Sequence, residues 1–159
     1  MSLVATALAS QFDRVWAMIR EAVDNTPDDE WLKTGPSGDN LTRPARHAFH
    51  VVQSVDRYLG HSPKDPPTSS RLDIEWETCP VELLPTKEQV LNYLEEIEQR
   101  LRVRLNGLSE KELEAPSEFD WTGATVTEHW MYVLRHTQNH LSILNTTLHA
   151  RNLKRAAWR

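Results

Sequence analysis

The strongest constraint on the fold is a recurrence of apolar residues every three or four positions, which appears in four separate stretches of the chain. This spacing aligns side chains along one face of an α-helix, whereas a half-buried strand would alternate apolar and polar residues. The four stretches are 4–25, 42–60, 86–107 and 125–152. We find neither sustained strand-like alternation nor an internal repeat. The sequence therefore predicts an all-α protein, a four-helix bundle in a single domain over residues 1–159.

Residues that favour helix ends set the expected boundaries. Three Ser/Thr residues are followed three positions later by Glu or Gln, the pattern of a capping box. These pairs are Thr86 with Gln89, Ser109 with Glu112, and Thr125 with Glu128. Pro44 is tolerated in the first turn of the second helix, and Gly60 and Gly107 mark helix ends. A further short turn is expected from Thr26 to Trp31, with Thr26 accepting from free backbone N–H groups.

A proline-rich connection, residues 61–85, separates the second and third predicted helices. Its prolines are Pro63, Pro66, Pro67, Pro80 and Pro85. These residues cannot continue a helix, and a loop this long in a compact domain tends to be functional or to span the domain. We expect the second and third helices to run parallel, joined by this crossover.

The charge balance and cysteine content exclude several classes of protein. The chain has 23 acidic and 18 basic residues, a formal net charge of −5, so nucleic acid is not expected as the main partner. No stretch approaches the roughly 20 apolar residues of a membrane span, and no export signal is recognised. Cys79 is the single cysteine, which fits a reducing compartment and favours the cytoplasm. We expect it to be incidental, since no basic neighbour is evident.

The histidines provide the main functional signal. His136 and His140 are four residues apart in the last helix, so their imidazoles lie on one face, one turn apart. A third ligand would come from the second helix, which offers His50 or His47. Three imidazoles suit zinc, nickel, copper or iron and leave a coordination position for water or substrate. If the three imidazoles share an ion, the site would be of the open, catalytic type.

The spacing alone slightly favours the other interpretation, in which these are core histidines bonded to the backbone or to amide side chains. The amides in reach are Gln53, Gln138 and Asn139. His129 shares roughly the face of His136, but the helix rise places it about 10 Å away, too far to bind the same ion. His61 and His149 lie near the ends of predicted elements and are expected to be solvated.

Three segments together resemble the DinB-like superfamily, bacterial four-helix proteins often described as damage-inducible. Residues 50–59, HVVQSVDRYL, are similar to the second-helix motif of that family, in which the metal histidine precedes an acid, here Asp56, and an aromatic residue, here Tyr58. Residues 135–145, RHTQNHLSILN, resemble its last-helix HxxxH motif. The C-terminal NLKRAAWR resembles its closing sequence, and the resemblance covers nearly the whole chain.

This resemblance implies an up-down-down-up bundle and a divalent metal, such as zinc or nickel, bound by His50, His136 and His140. His47 departs from the family pattern, because it adds a rival ligand one turn before His50. Metal-bound members of the superfamily include transferases that use bacillithiol or mycothiol and related isomerases, while others have no known activity. The name of the family does not imply DNA binding.

Two functions follow as hypotheses. In the first, the metal lowers the pKa of a bound water or low-molecular-weight thiol, and the protein is a metal-dependent transferase or hydrolase for a small molecule. Loops 61–85 and 107–124 would then frame the pocket, and Trp76 and Trp121 could line it, although ordinary packing is the favoured role of both. No general base is assigned.

In the second hypothesis, the protein is a non-catalytic stress-response or dimerisation module whose metal joins two helices.

An exposed apolar face on the first or last helix would favour a homodimer under either hypothesis.

Overall fold

The computed structural model describes residues 2–35, 38–60, 62–65 and 74–159, and within these ranges the chain is all-helical. The helices are α1 (Leu3–Asn25), α2 (Asp28–Trp31), α3 (Pro44–Tyr58), α4 (Lys87–Asn106), α5 (Glu110–Glu114) and α6 (Val126–Ala150). Short 3-10 turns occur at Asn40–Thr42 and Val81–Leu83. An isolated bridge joins Pro116 to Thr125, and the described residues form no strand. The predicted all-α class is confirmed.

The four long helices surround one apolar core. α1 packs against α4 and α6, and α3 packs against the same two helices. The largest fully buried side chains of the core include Phe12, Trp16, Phe49, Leu94, Ile97, Leu101, Trp130 and Leu141. Full burial of a large apolar side chain contributes roughly 1.5–3 kcal/mol, so these residues supply much of the stabilisation that orders the helices. The contact between α3 and α6 is the one that positions the histidines.

The predicted capping boxes are all present, at the N-termini of α4, α5 and α6. The other predicted boundaries shift by a few residues. The second long helix begins at Pro44, because residues 40–42 form a 3-10 turn before it, and it ends at Tyr58 before Gly60. α6 stops at Ala150, and Asn152 adopts a left-handed conformation with φ 56° that cannot extend the helix.

Thr26 does not cap α2 as predicted. It ends α1, where its buried hydroxyl donates to the carbonyl of Ala22 at 2.8 Å. A threonine hydroxyl that bonds four residues back is satisfied within its own helix. Pro27 therefore precedes α2 without a side-chain cap, and the predicted turn to Trp31 still forms.

The described end of the long connection folds back onto α3. The amide of Gln53 donates to the carbonyl of Ile74 at 2.9 Å, and Arg46 donates to the carbonyl of Cys79 at 2.7 Å. The predicted exposure of His61 lies outside the described residues. None of the described helices has a stretch long and apolar enough to span a bilayer.

Candidate metal centre

The packing of α3 against α6 brings His50, His136 and His140 together. One ring nitrogen from each lies within 4.8 Å of those of the other two. The ring centroids are 4.4 Å apart for His50 and His140, 4.6 Å for His136 and His140, and 5.4 Å for His50 and His136. The helical spacing aligns the two residues of α6, and the tertiary contact adds the third.

The ring of His136 has a buried nitrogen atom that no group in the described part of the chain satisfies. Its Nδ1 atom is buried and has no hydrogen-bond partner among the described residues. Leaving a buried polar group unsatisfied costs about 1–3 kcal/mol, so native proteins rarely do so without a reason. Three imidazole donors fit the preferences of zinc and nickel. The residues of this centre therefore fit a divalent cation.

The electrostatics of the cluster keep its rings neutral. Burial lowers the pKa of His50 to about 3, and the neighbouring His140, His136 and His47 contribute to that shift. Burial and the neighbouring histidines also lower the pKa of His140 to about 4, and burial lowers the pKa of His136. At neutral pH each of these rings has a free lone pair, the form that binds a metal.

His47 lies beside the cluster. It is 6% exposed, and its Nδ1 atom is 3.4 Å from Nδ1 of His140. Burial lowers its pKa, and a hydrogen bond to the backbone of Leu41 acts in the opposite direction. The group of convergent ring nitrogens in the described chain consists of His50, His136 and His140, without His47.

Trp76 covers one side of the centre. Its ring stacks on His50 with centroids 3.8 Å apart and planes inclined by 30°. The Arg46 guanidinium donates to the carbonyls of Trp76 and Cys79, which attaches this segment to α3. Trp76 thus packs against a predicted metal ligand. Of the two roles considered for Trp76, ordinary packing and lining of the site, the structure combines both.

The expectation that Cys79 has no basic neighbour is wrong. Nη1 of Arg46 lies 3.5 Å from the sulfur of this buried cysteine. The two residues are far apart in sequence, and only the return of the connection onto α3 brings them together. One signal was available, because Arg46 occupies the same helical face as Phe49, and an arginine on a core-facing stripe requires a buried partner.

Further aromatic rings lie near His136. The Tyr58 and Tyr132 rings lie 6.2 Å and 6.1 Å from the ring of His136. Burial raises the pKa of Tyr58. The indole N–H of Trp121 donates to the Tyr58 hydroxyl at 3.4 Å, and Trp121 is about half exposed. Trp121 therefore lies at the rim, connected to the histidines through Tyr58.

His129 belongs to a different environment. Its Nδ1 is 3.2 Å from the Thr122 hydroxyl, and its Nε2 is 3.2 Å from the Tyr58 carbonyl. The core-histidine interpretation therefore describes His129, which lies outside the cluster as the helix rise predicts. His149 is exposed near the end of α6, also as predicted.

Asp56, the acid of the second-helix motif, is buried and hydrogen-bonded to a neighbouring helix. It is 1% exposed and accepts from the Tyr93 hydroxyl at 2.7 Å and from Arg100 at 2.8 Å. Both partners are on α4, so these bonds join α3 to α4. They hold the helix that carries His50 in place.

No curated protein matches this chain. The family model of the DinB superfamily matches residues 11–144. This span begins within α1, ends within α6 and includes the three clustered histidines and Asp56. Because the match covers most of the sequence, the resemblance in the helix motifs is confirmed: the chain belongs to the DinB superfamily.

Proposed function

We propose that the protein binds one divalent metal ion, zinc or nickel, through His50, His136 and His140. The observation that supports this most strongly is the buried Nδ1 atom of His136, which has no hydrogen-bond partner among the described residues. A cation at the cluster would use lone pairs that burial keeps unprotonated.

We further propose that the long helices form an up-down-down-up bundle with residues 61–85 as the crossover. α1 and α3 each pack against both α4 and α6. If α3 and α4 run parallel, the chain must travel the length of the bundle between them, which accounts for the long connection.

The proposed activity is that of a metal-dependent enzyme, a thiol-dependent transferase or a hydrolase acting on a small molecule in the cytoplasm. The cation would supply Lewis-acid chemistry, which lowers the pKa of a water or a thiol. Trp76 limits the rotation of the His50 ring by stacking on it. The side chain of Arg46 donates to the Trp76 carbonyl and holds that segment in place. Three protein ligands leave room for a substrate atom, as catalytic centres require.

Cobalt substitution tests both the binding and the openness of the site. The wild type loaded with one equivalent of Co²⁺ is expected to develop visible absorption bands that shift when azide or a small thiol is added. The double variant His136→Ala/His140→Ala should show no such bands, whereas His149→Ala, which changes an exposed histidine on the same helix, should match the wild type.

A wild type without bands after reconstitution would contradict the metal site. Bands that neither azide nor thiols change would contradict the enzyme proposal, because the site would then be closed by protein ligands.

A second candidate function, a dimerisation module, is favoured by an apolar groove between α1 and α6. Leu8, Val15 and Leu134 line it, together with the exposed Met131 and Trp158. Arg135 is the single charged residue among those that line it in the described structure. Two copies of an acidic chain can therefore meet on this face without repulsion between acidic groups, and we propose a homodimer as its occupant.

The molar mass in solution tests this interface. Light scattering should give twice 18.4 kDa for the wild type and for Val103→Glu, which adds a charge to an exposed position on α4. Met131→Glu buries a carboxylate in the proposed interface and should give a monomer. A monomeric wild type at micromolar concentration, or a dimeric Met131→Glu, would contradict the proposal.

A further inference from the structure

A fourth imidazole, that of His47, lies against the histidine cluster and has no role in the function proposed above. We propose that His47 is a positioning residue, which accepts a hydrogen bond from Nδ1–H of His140 and so fixes the tautomer in which His140 presents Nε2 to the metal. This inference depends on the proposed metal site, but one of its tests does not require a metal.

The contact between the two rings sets the first condition. Nδ1 of His47 lies 3.4 Å from Nδ1 of His140, with the ring centroids 5.6 Å apart. A neutral imidazole has one N–H donor and one acceptor nitrogen. The two Nδ1 atoms can therefore be hydrogen-bonded only if one ring is protonated at Nδ1 and the other is not.

The second partner of His47 determines the direction of this bond. Burial lowers the pKa of His47, and a hydrogen bond to the backbone of Leu41 acts in the opposite direction, as a bond to a carbonyl oxygen does. A carbonyl only accepts, so the single proton of a neutral His47 is used there. In the proposed arrangement this proton is on Nε2, and Nδ1 is left as the acceptor for His140.

The Leu41 backbone is a suitable anchor because the turn around it is held by several bonds. The Asp39 side chain accepts from Leu41 N–H at 2.9 Å, and the Asp39 carbonyl accepts from Thr42 N–H at 3.0 Å. The Thr42 hydroxyl accepts from Gly35 N–H at 2.6 Å. His47, 6% exposed in the first turns of α3, thus connects a braced backbone carbonyl to a ring of the cluster.

This arrangement gives α3 two roles at the metal centre. His50 would be a ligand, and His47, one turn earlier, would orient the ligand that comes from α6. Metal-binding histidines commonly donate their second N–H to such a partner, and loss of the partner typically lowers metal affinity about 10- to 100-fold. The proposed role also explains why His47 lies close to the cluster although its ring nitrogens do not converge with those of His50, His136 and His140.

Two substitutions separate hydrogen bonding from simple packing. Asn at position 47 places an acceptor oxygen near the position of Nδ1, whereas Phe fills the space without an acceptor. Competition with a chromophoric chelator should show zinc affinity lowered about 10- to 100-fold in His47→Phe and largely retained in His47→Asn. His149→Phe is the matched control and should bind zinc as the wild type does.

Equal losses in His47→Phe and His47→Asn would overturn the proposal, since an acceptor would then have no effect. So would X-ray absorption spectra in which His47→Phe lacks one imidazole ligand of the wild type, because His47 would then be a ligand itself. Far-ultraviolet circular dichroism on each variant establishes that it is folded before these affinities are compared.

The tautomer can be measured without a metal. In the metal-free wild type, ¹⁵N chemical shifts should identify Nδ1 of His140 as protonated and Nε2 as unprotonated, and in His47→Phe the proton should redistribute toward Nε2. A wild-type His140 protonated at Nε2 overturns the inference whether or not the protein binds zinc. A wild type that binds no zinc but has the expected tautomer contradicts the proposed function alone.

Discussion

Replacing His50 with alanine is expected to lower the zinc affinity of the protein about 100- to 1000-fold. Apparent binding free energies of roughly 10–16 kcal/mol for four-ligand zinc sites correspond to about 2.5–4 kcal/mol for each ligand, close to two to three powers of ten in affinity. Loss of an orienting partner is less costly, about 10- to 100-fold, so His47→Ala should have the smaller effect. Titration against a chromophoric chelator measures both affinities.

The order of these two losses decides which histidine of α3 is the ligand. His149→Ala should retain the wild-type affinity, since this residue is exposed beyond the cluster. A greater loss in His47→Ala than in His50→Ala would transfer the ligand role to His47. The present assignment would then be wrong, although the contact between α3 and α6 would still form the site.

Replacing Asp56 with alanine is expected to lower the free energy of unfolding by about 3 kcal/mol. The change removes a buried acceptor and leaves the Tyr93 hydroxyl and the partly buried Arg100 without this partner. For a chain of this length that loss corresponds to a decrease in Tm of about 6–12 °C. Urea denaturation of the metal-free protein measures it without interference from metal binding.

A matched control is Asp29→Ala, which removes an exposed ion pair with Lys33, four residues later in the chain. Water already solvates both of these charges, so little change in stability is expected. If Asp56→Ala were no more destabilising than Asp29→Ala, the bonds between α3 and α4 would not be important for stability. Asp56→Asn should be intermediate, because it retains an acceptor for Tyr93.

The helices were predictable from sequence because their signals are local. Apolar periodicity identifies the long helices, and the capping pairs, such as Thr125 with Glu128, place three N-termini correctly. The errors occur where a neighbouring conformation competes with the helix. Residues 40–42 form a 3-10 turn, Asn152 is left-handed, and Thr26 bonds back into α1.

The candidate site was only partly predictable. The spacing of His136 and His140 requires no tertiary information, but the choice between His50 and His47 depends on how α3 is rotated against α6. Both of these residues are on the inner side of α3, so periodicity alone cannot separate them. The structure brings His50 into the convergent group and places His47 against His140.

The contacts made by the long connection were beyond prediction for a different reason. Trp76 on His50 and Arg46 beside Cys79 join positions about 30 residues apart, through a segment without regular periodicity. Nothing in the local sequence specifies where such a segment returns to the helices. An arginine on the inner face of α3 indicated that a buried partner was needed, but not which one.

A crystal structure of the zinc-reconstituted protein would show whether imidazoles from α3 and α6 bind one ion. Anomalous scattering at the zinc absorption edge should locate one peak about 2.0–2.1 Å from a ring nitrogen of each of His50, His136 and His140. A peak at another position, or no peak while the three rings bond to separate protein groups, would contradict the account.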